Sequence, residues 1–261
     1  MARWWGKKRM PEGVKAVPSG QDSSTDSVHG TLPGQVDGSG GLRTVLLCVH
    51  DSGLMLTTDD DGGGAQANVA PRMYPWAEIT HVWFANDLEG HSTTEGDAIV
   101  TQWVYIQRLE FADGTVVTSR LADPPVTTPG AVFRTGQIAD RPPSSIWPLL
   151  AHIQARVTEV QLANVNTALA AGGPVQFGPL TADEDGLHHQ DTHIPWEDIT
   201  ALRYSFVHAG VDEDELGAYL RMEFRDREAG TYGFPFRWLR IPALDVPDIG
   251  VLERLYAERR L

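Results

Sequence analysis

The sequence predicts an α+β protein made of two tandem copies of one strand-rich antiparallel unit, each closed by a C-terminal helix. Three observations carry that prediction. Tyr74-Pro75-Trp76-Ala77-Glu78-Ile79-Thr80 recurs as Ile194-Pro195-Trp196-Glu197-Asp198-Ile199-Thr200. Flanking matches keep the same order. Asp51-Ser52-Gly53-Leu54 pairs with Asp183-Glu184-Asp185-Gly186-Leu187 upstream, and Leu109-Glu110-Phe111-Ala112-Asp113 with Met222-Glu223-Phe224-Arg225-Asp226 downstream. Each copy then ends in a segment whose apolar residues recur at three- and four-residue spacing, the period of an amphipathic helix. One match could arise by chance; several in a fixed order indicate duplication.

Residues 1–41 come first and do not read as part of either unit. Residues 10–41 are rich in Gly, Ser, Asp and Pro and show no apolar periodicity, the composition of a disordered linker. In the first copy, residues 44–49 read as a strand, Asp51-Ser52-Gly53 as a turn and 54–57 as the returning strand. Asp59-Asp60-Asp61-Gly62-Gly63-Gly64 begins a loop that the second copy lacks. The Pro75-Trp76 step leads into a strand over 79–84, where a proline just before the first position costs no ladder hydrogen bond. Residues 103–111 and 115–121 form a hairpin around Ala112-Asp113-Gly114.

Ser144 is placed to cap a helix carrying Ile146, Leu149, Leu150, Ile153, Val157 and Val160 on one face, with Pro148 in its tolerant first turn. Helical propensity continues to Ala171, where Gly172-Gly173-Pro174 ends it, so this helix should close unit 42–171 and connect stiffly to unit 174–261. The second copy repeats the strands at 200–207, 218–224 and 231–236. Asp245 or Asp248 then starts a helix with Ile249, Leu252, Leu255 and Tyr256 inward and Glu253, Arg254, Glu258 and Arg259 outward.

Composition narrows the function classes. Of 261 residues, 41% are hydrophobic, enough for buried cores, and no apolar run approaches the roughly 20 residues of a membrane-spanning helix. A single cysteine, Cys48, excludes an internal disulfide and any multi-cysteine metal site. The formal charge of −14 argues against nucleic acid as a partner of the folded body. Charge is unevenly spread. Residues 1–40 hold 5 basic and 4 acidic residues, 41–143 hold 6 and 13, and 144–261 hold 10 and 18. Every lysine lies in the first 15 residues, where Trp4 and Trp5 beside Lys7, Lys8 and Arg9 are residue types that favour a membrane–water interface.

A unit of this size, with successive antiparallel strands, Gly53-Leu54, Pro75-Trp76, Glu78-Ile79, the 109–113 hairpin and the 144–160 helix, resembles the pleckstrin-homology-like superfold. The likeness is to bacterial PH-like and GRAM-like domains, actinobacterial ones included, and extends over most of residues 42–261. It implies two PH-like domains in tandem, each a bent, partly open barrel plugged by its helix. Trp76 and Trp196 would then be equivalent packing residues, Ile79 and Ile199 would point into the barrels, and Phe111 and Phe224 would complete the shared core. A binding or scaffolding module, not an enzyme, is what the resemblance implies. Phosphoinositide binding is not implied, because the turns that would need basic residues read Asp51-Ser52-Gly53 and Asp183-Glu184-Asp185.

Among candidate chemical groups, Leu187-His188-His189-Gln190-Asp191-Thr192-His193 is the sharpest local signal. On a continuous strand His189, Asp191 and His193 share one face, geometry that Zn²⁺ or Ni²⁺ can use. A polar surface strand explains the same alternation, and the first copy has Asn68–Met73 in its place, which excludes a role common to both copies. The acidic runs at 59–61, 183–185 and 212–215 lack the spacing of an EF-hand and read as solvated loops. Trp76, Trp83, Trp147 and Trp196 read as core, as does the apolar run at 234–239 despite its potential as a contact patch.

These readings lead to a cytoplasmic, non-enzymatic protein without cofactor that binds a protein or peptide, a basic one on grounds of net charge, through the variable loops 85–102 and 207–217 or through sheet edges. The alternative is a membrane-peripheral protein held at the inner face by Trp4, Trp5, Lys7, Lys8 and Arg9. More remote is a metal-dependent hydrolase using His189, Asp191 and His193.

Overall fold

The computed structural model describes residues 26–38, 41–58, 71–92, 98–129, 146–207, 217–225 and 236–260. Alternation of apolar and polar residues builds the first sheet. Strand β2 (Gly41–His50) buries Val45, Leu47 and Val49 and turns Leu46 and Cys48 the other way. It lies between β1 (Val28–Gly38) and β3 (Gly53–Thr58), and β4 (Arg72–Pro75) completes a four-stranded meander. A single 3-10 turn, Trp76–Glu78, leads into a second meander of β5 (Ile79–Ser92), β6 (Ala98–Phe111) and β7 (Val116–Ala122), with β8 (Val126–Pro129) pairing on β6. Pairing of Gln35 with Thr118 and Val36 with Val117 joins the meanders into one sheet of order β4-β3-β2-β1-β7-β6-β5, a partly open barrel. Helix α1 (Trp147–Ala170) follows.

The second copy repeats this sequence of elements. Strands β9 (Val175–Phe177), β10 (Leu180–Ala182), β11 (Gly186–His189) and β12 (Thr192–Pro195) form its first meander. A 3-10 turn at Trp196–Asp198 leads to β13 (Ile199–Val207), β14 (Gly217–Arg225) and β15 (Phe236–Pro242), and helix α2 (Ile249–Arg259) ends the chain. Among the described residues the two meanders here remain separate sheets.

The duplication extends to individual hydrogen bonds. Trp76 Nε1 donates to Asp51 O at 2.8 Å, and Trp196 Nε1 donates to Asp183 O at 3.1 Å. Thr80 and Thr200 each donate a hydroxyl to the carbonyl of the facing glutamate, Glu110 and Glu223, at 3.1 Å. Ile79 faces Phe111 and Ile199 faces Phe224, with a register shift just after each isoleucine. The carbonyls of Ile79 and Ile199 accept a side-chain donor from the closing helix, Gln161 in one copy and Tyr256 in the other. Gly53 and Gly186 occupy equivalent positions for one reason: a Cβ would sit 2.1 Å from Tyr74 O or 2.3 Å from Ile194 O. Trp76, Ile79, Phe111, Trp196 and Ile199 are buried, and Phe224 packs half-buried against the second core.

Helix α1 serves both cores, as its length requires. Its 24 residues span about 36 Å. Ile146, Leu150, Ile153 and Val157 enter the first core; Leu162, Val165 and Leu169 enter the second. Between the units, Tyr204 of β13 donates its hydroxyl to the Asn86 carboxamide and accepts the Asn86 N–H at 2.9 Å.

Several expectations need correction. Residues 28–38, assigned by composition to the linker 1–41, form β1 in the middle of the first sheet, so the unit begins well before residue 42. Residues 85–102, expected as a variable loop, are largely strand: β5 and β6 pair as far as Ser92 with Ile99. The described part of the second copy's last strand runs Phe236–Pro242, past the end of the expected 231–236, of which 231–235 lie outside the described residues. Glu253 does not face solvent: it is half-buried and accepts the Tyr204 N–H at 2.6 Å. Helix α1 takes Ile146 as its N-cap residue, and Ser144 lies outside the described residues.

Candidate functional site

The three-stranded sheet β13-β14-β15 has one apolar and one cationic face. Leu202, Leu220, Met222 and Ile241 are buried on the inner side. On the outer side, Arg203 stands opposite Arg221 and Arg221 opposite Arg240, so three guanidinium groups form a row across the sheet. Like charges directly opposite one another destabilise a sheet. The Arg221 guanidinium lies 3.5 Å from the centroid of the Trp238 ring, a cation–π contact. Burial first, then the charges of Arg203 and Arg240, draw the Arg221 pKa below its ordinary value. Trp238 and Phe236 share this face and are 54% and 40% exposed, so these two residues of the 234–239 run do not pack as the core expected from its composition. Leu239 packs against the core, and 234–235 lie outside the described residues.

Neither feature is demanded by the fold. The first copy carries Trp83, Arg108 and Thr118 in the equivalent row, with Arg108 4.5 Å from the Trp83 ring centroid. Trp83 is thus half-buried beneath an arginine and not deep in the core. The sheet edges also differ. Glu253 of α2 covers β13 by accepting the Tyr204 N–H, whereas no strand among the described residues pairs on the far side of β15.

The histidine segment folds differently from a continuous strand. Gln190, with φ at 53°, turns the chain between β11 and β12, so His189, Asp191 and His193 do not lie on one strand face. His188 instead stands opposite His193, with the rings stacked 4.5 Å apart at 24°. His188 Nε2 donates to Asp183 Oδ2 at 2.6 Å, and Asp183 Oδ1 accepts the N–H groups of Asp185 and Gly186, both at 2.9 Å. Partial burial opposes ionisation of Asp183, but the His188 hydrogen bond and the N–H groups of Gly186 and Asp185 together lower its pKa. Reading the segment as a hairpin with its turn at Gln190 would have revealed the His188–His193 pairing.

A second histidine group belongs to the first copy. His29 Nε2 donates to Asp51 Oδ1 at 2.6 Å, and the His29 and His152 rings lie 4.3 Å apart. Nε2 of His50 and Nε2 of His152 are buried without a hydrogen-bond partner, and desolvation lowers the His152 pKa, with His29 and Arg156 adding to it. An open cleft of about 750 Å³ beside Trp196 combines Glu184, Asp185 and Glu197 with Arg225, Arg259 and Arg260, a balanced set with no net preference of sign.

No protein-family model matches the chain, and no curated protein matches it. Trp4, Trp5, Lys7, Lys8 and Arg9 lie outside the described residues, as do the acidic runs 59–61 and 212–215. No helix among the described residues is long and apolar enough to cross a membrane.

Proposed function

We propose that the chain is a non-enzymatic binding protein of two tandem PH-like units, and that the second unit recognises an extended acidic peptide segment of a partner protein. The repeated order of four strands, three strands and a helix supports the PH-like reading. The single observation that carries the recognition reading is the row Arg203–Arg221–Arg240 beside exposed Trp238 and Phe236, next to an edge of β15 on which no described strand pairs. Net charge alone favours a basic partner, but encounter and pairing are decided by local charge, which at this face is cationic. Main-chain hydrogen bonds to β15 would supply affinity, while carboxylates opposite the arginines would set register.

The test uses a fluorescein-labelled peptide alternating glutamate with valine. Its anisotropy should rise saturably with the full chain and fall as salt is added. Arg203→Glu/Arg240→Glu should weaken it by at least tenfold, about 1.4 kcal/mol. Equal binding by the charge-reversed variant, or equal displacement by an oligothymidylate, would refute the acidic-peptide reading.

A further inference from the structure

We propose that the β11–β12 hairpin is a binding site for a borderline divalent transition ion, of which Zn²⁺ is the representative, held by Asp183, His188 and His193. This site is distinct from the arginine face and does not rest on the peptide reading. One ligand atom from each of the three side chains lies within 4.8 Å of the other two. Zn²⁺ binds imidazole nitrogen at about 2.0–2.1 Å and carboxylate oxygen at about 2.0–2.2 Å, which needs ligand atoms roughly 3.3 Å apart around a tetrahedron. The side chains therefore need rotation only, with no rearrangement of the strands.

Three features make this more than a chance cluster. The carboxylate is positioned in advance: Asp183 Oδ1 is fixed by two backbone N–H groups, which leaves Oδ2 directed at His188. The second imidazole rests against Gly186, which Ile194 O already requires to be glycine, and its Nε2 lies 2.9 Å from where a Cβ would stand. Finally, the unit does not need histidines at these positions. In the first copy the equivalent cross-strand pair is Met55 with Met73, which gives the same hairpin without imidazole. The equivalent turn aspartate, Asp51, there pairs with His29 of β1 instead.

Two imidazoles and one carboxylate suit Zn²⁺ over Mg²⁺ or Ca²⁺, which prefer oxygen ligands. On binding, the ion takes the place of the proton between His188 Nε2 and Asp183, and the neutral imidazole then carries its one proton on Nδ1. His193 is exposed, so the remaining coordination position opens to water.

The experiment is calorimetric titration of the full, metal-free chain with zinc chloride in a non-coordinating buffer. Saturable one-to-one binding is expected. His188→Met/His193→Met, which installs the pair used by the first copy, should weaken it by well over about tenfold. Should that variant not fold, Asp183→Asn provides the decision, because it keeps a backbone-accepting oxygen but removes the charge, and it too should weaken binding. Failure of the wild-type chain to take up zinc saturably overturns the proposal. So does unchanged affinity in whichever folded variant is measured, which would assign the zinc to other histidines.

Discussion

Asp248 joins the two units through one side chain and one peptide group. It sits at φ 55°, is 6% exposed, and precedes α2 as its N-cap residue. Its N–H donates to Val82 O at 2.7 Å, its Oδ1 accepts the Val82 N–H at 2.8 Å, and its Oδ2 accepts His81 Nδ1 at 2.7 Å. The edge of β5 is thereby satisfied by a residue 166 positions away. Aspartate is among the few residues that tolerate this left-handed conformation. The hydrogen bond to Asp248 raises the His81 pKa above 6.5 against the opposing effect of burial, helped by the charges of Asp248 and Glu110. Stabilisation from the charged pair is therefore complete below pH 6.5 and fades as the pH climbs through the raised value. Thermal melts should show the gap between wild type and His81→Asn widest on the acid side of pH 6.5 and narrowing above it; a gap that widens with pH contradicts the pairing. From sequence, Asp248 is legible only as a helix start, because its partners in β5 are remote and no local pattern encodes them.

Strand β1 shows why an element can be hidden. Only Leu32 and Val36 supply apolar side chains at its centre, while Gly30, Pro33 and Gly34 give it the composition of a linker. The glycine favours close packing: a Cβ at Gly34 would meet Leu47 Cδ1 at 2.7 Å and Val117 Cγ1 at 2.8 Å, so any larger residue would push these two side chains aside. Leu32 is 1% exposed, and Leu32→Ala should cost about 2–5 kcal/mol in urea unfolding. Val28→Ala, at a position 50% exposed in the same strand, should stay within about 0.5 kcal/mol. If Leu32→Ala costs as little as Val28→Ala, β1 is not part of the core. The other strands were legible where alternation was strong, as in β2 and β6, and the helices where spacing was regular. The four-residue strands β11 and β12 were not, because a turn at Gln190 without glycine gives no local signal and leaves the histidine spacing open to a one-strand reading.

Over the whole molecule, the formal charge of −14 and the repeat answer different questions. The repeat predicts two units sharing one element order, and the tryptophan and threonine hydrogen bonds of the two copies correspond residue by residue. Net charge describes the long-range field but not the outer face of β13-β14-β15, where arginines from three strands separated in sequence come together only through register. Such a row is invisible to composition. It also distinguishes the two units: one scaffold carries Trp83–Arg108–Thr118 on this face, and the other carries Arg203–Arg221–Arg240. The most direct measurement is amide hydrogen exchange of the full chain with and without the glutamate–valine peptide. Binding by strand addition predicts slowed exchange concentrated in Phe236–Pro242 of β15. Protection confined to another edge, such as Arg72–Pro75 or Thr192–Pro195, or bound peptide with no change in β15, would contradict it.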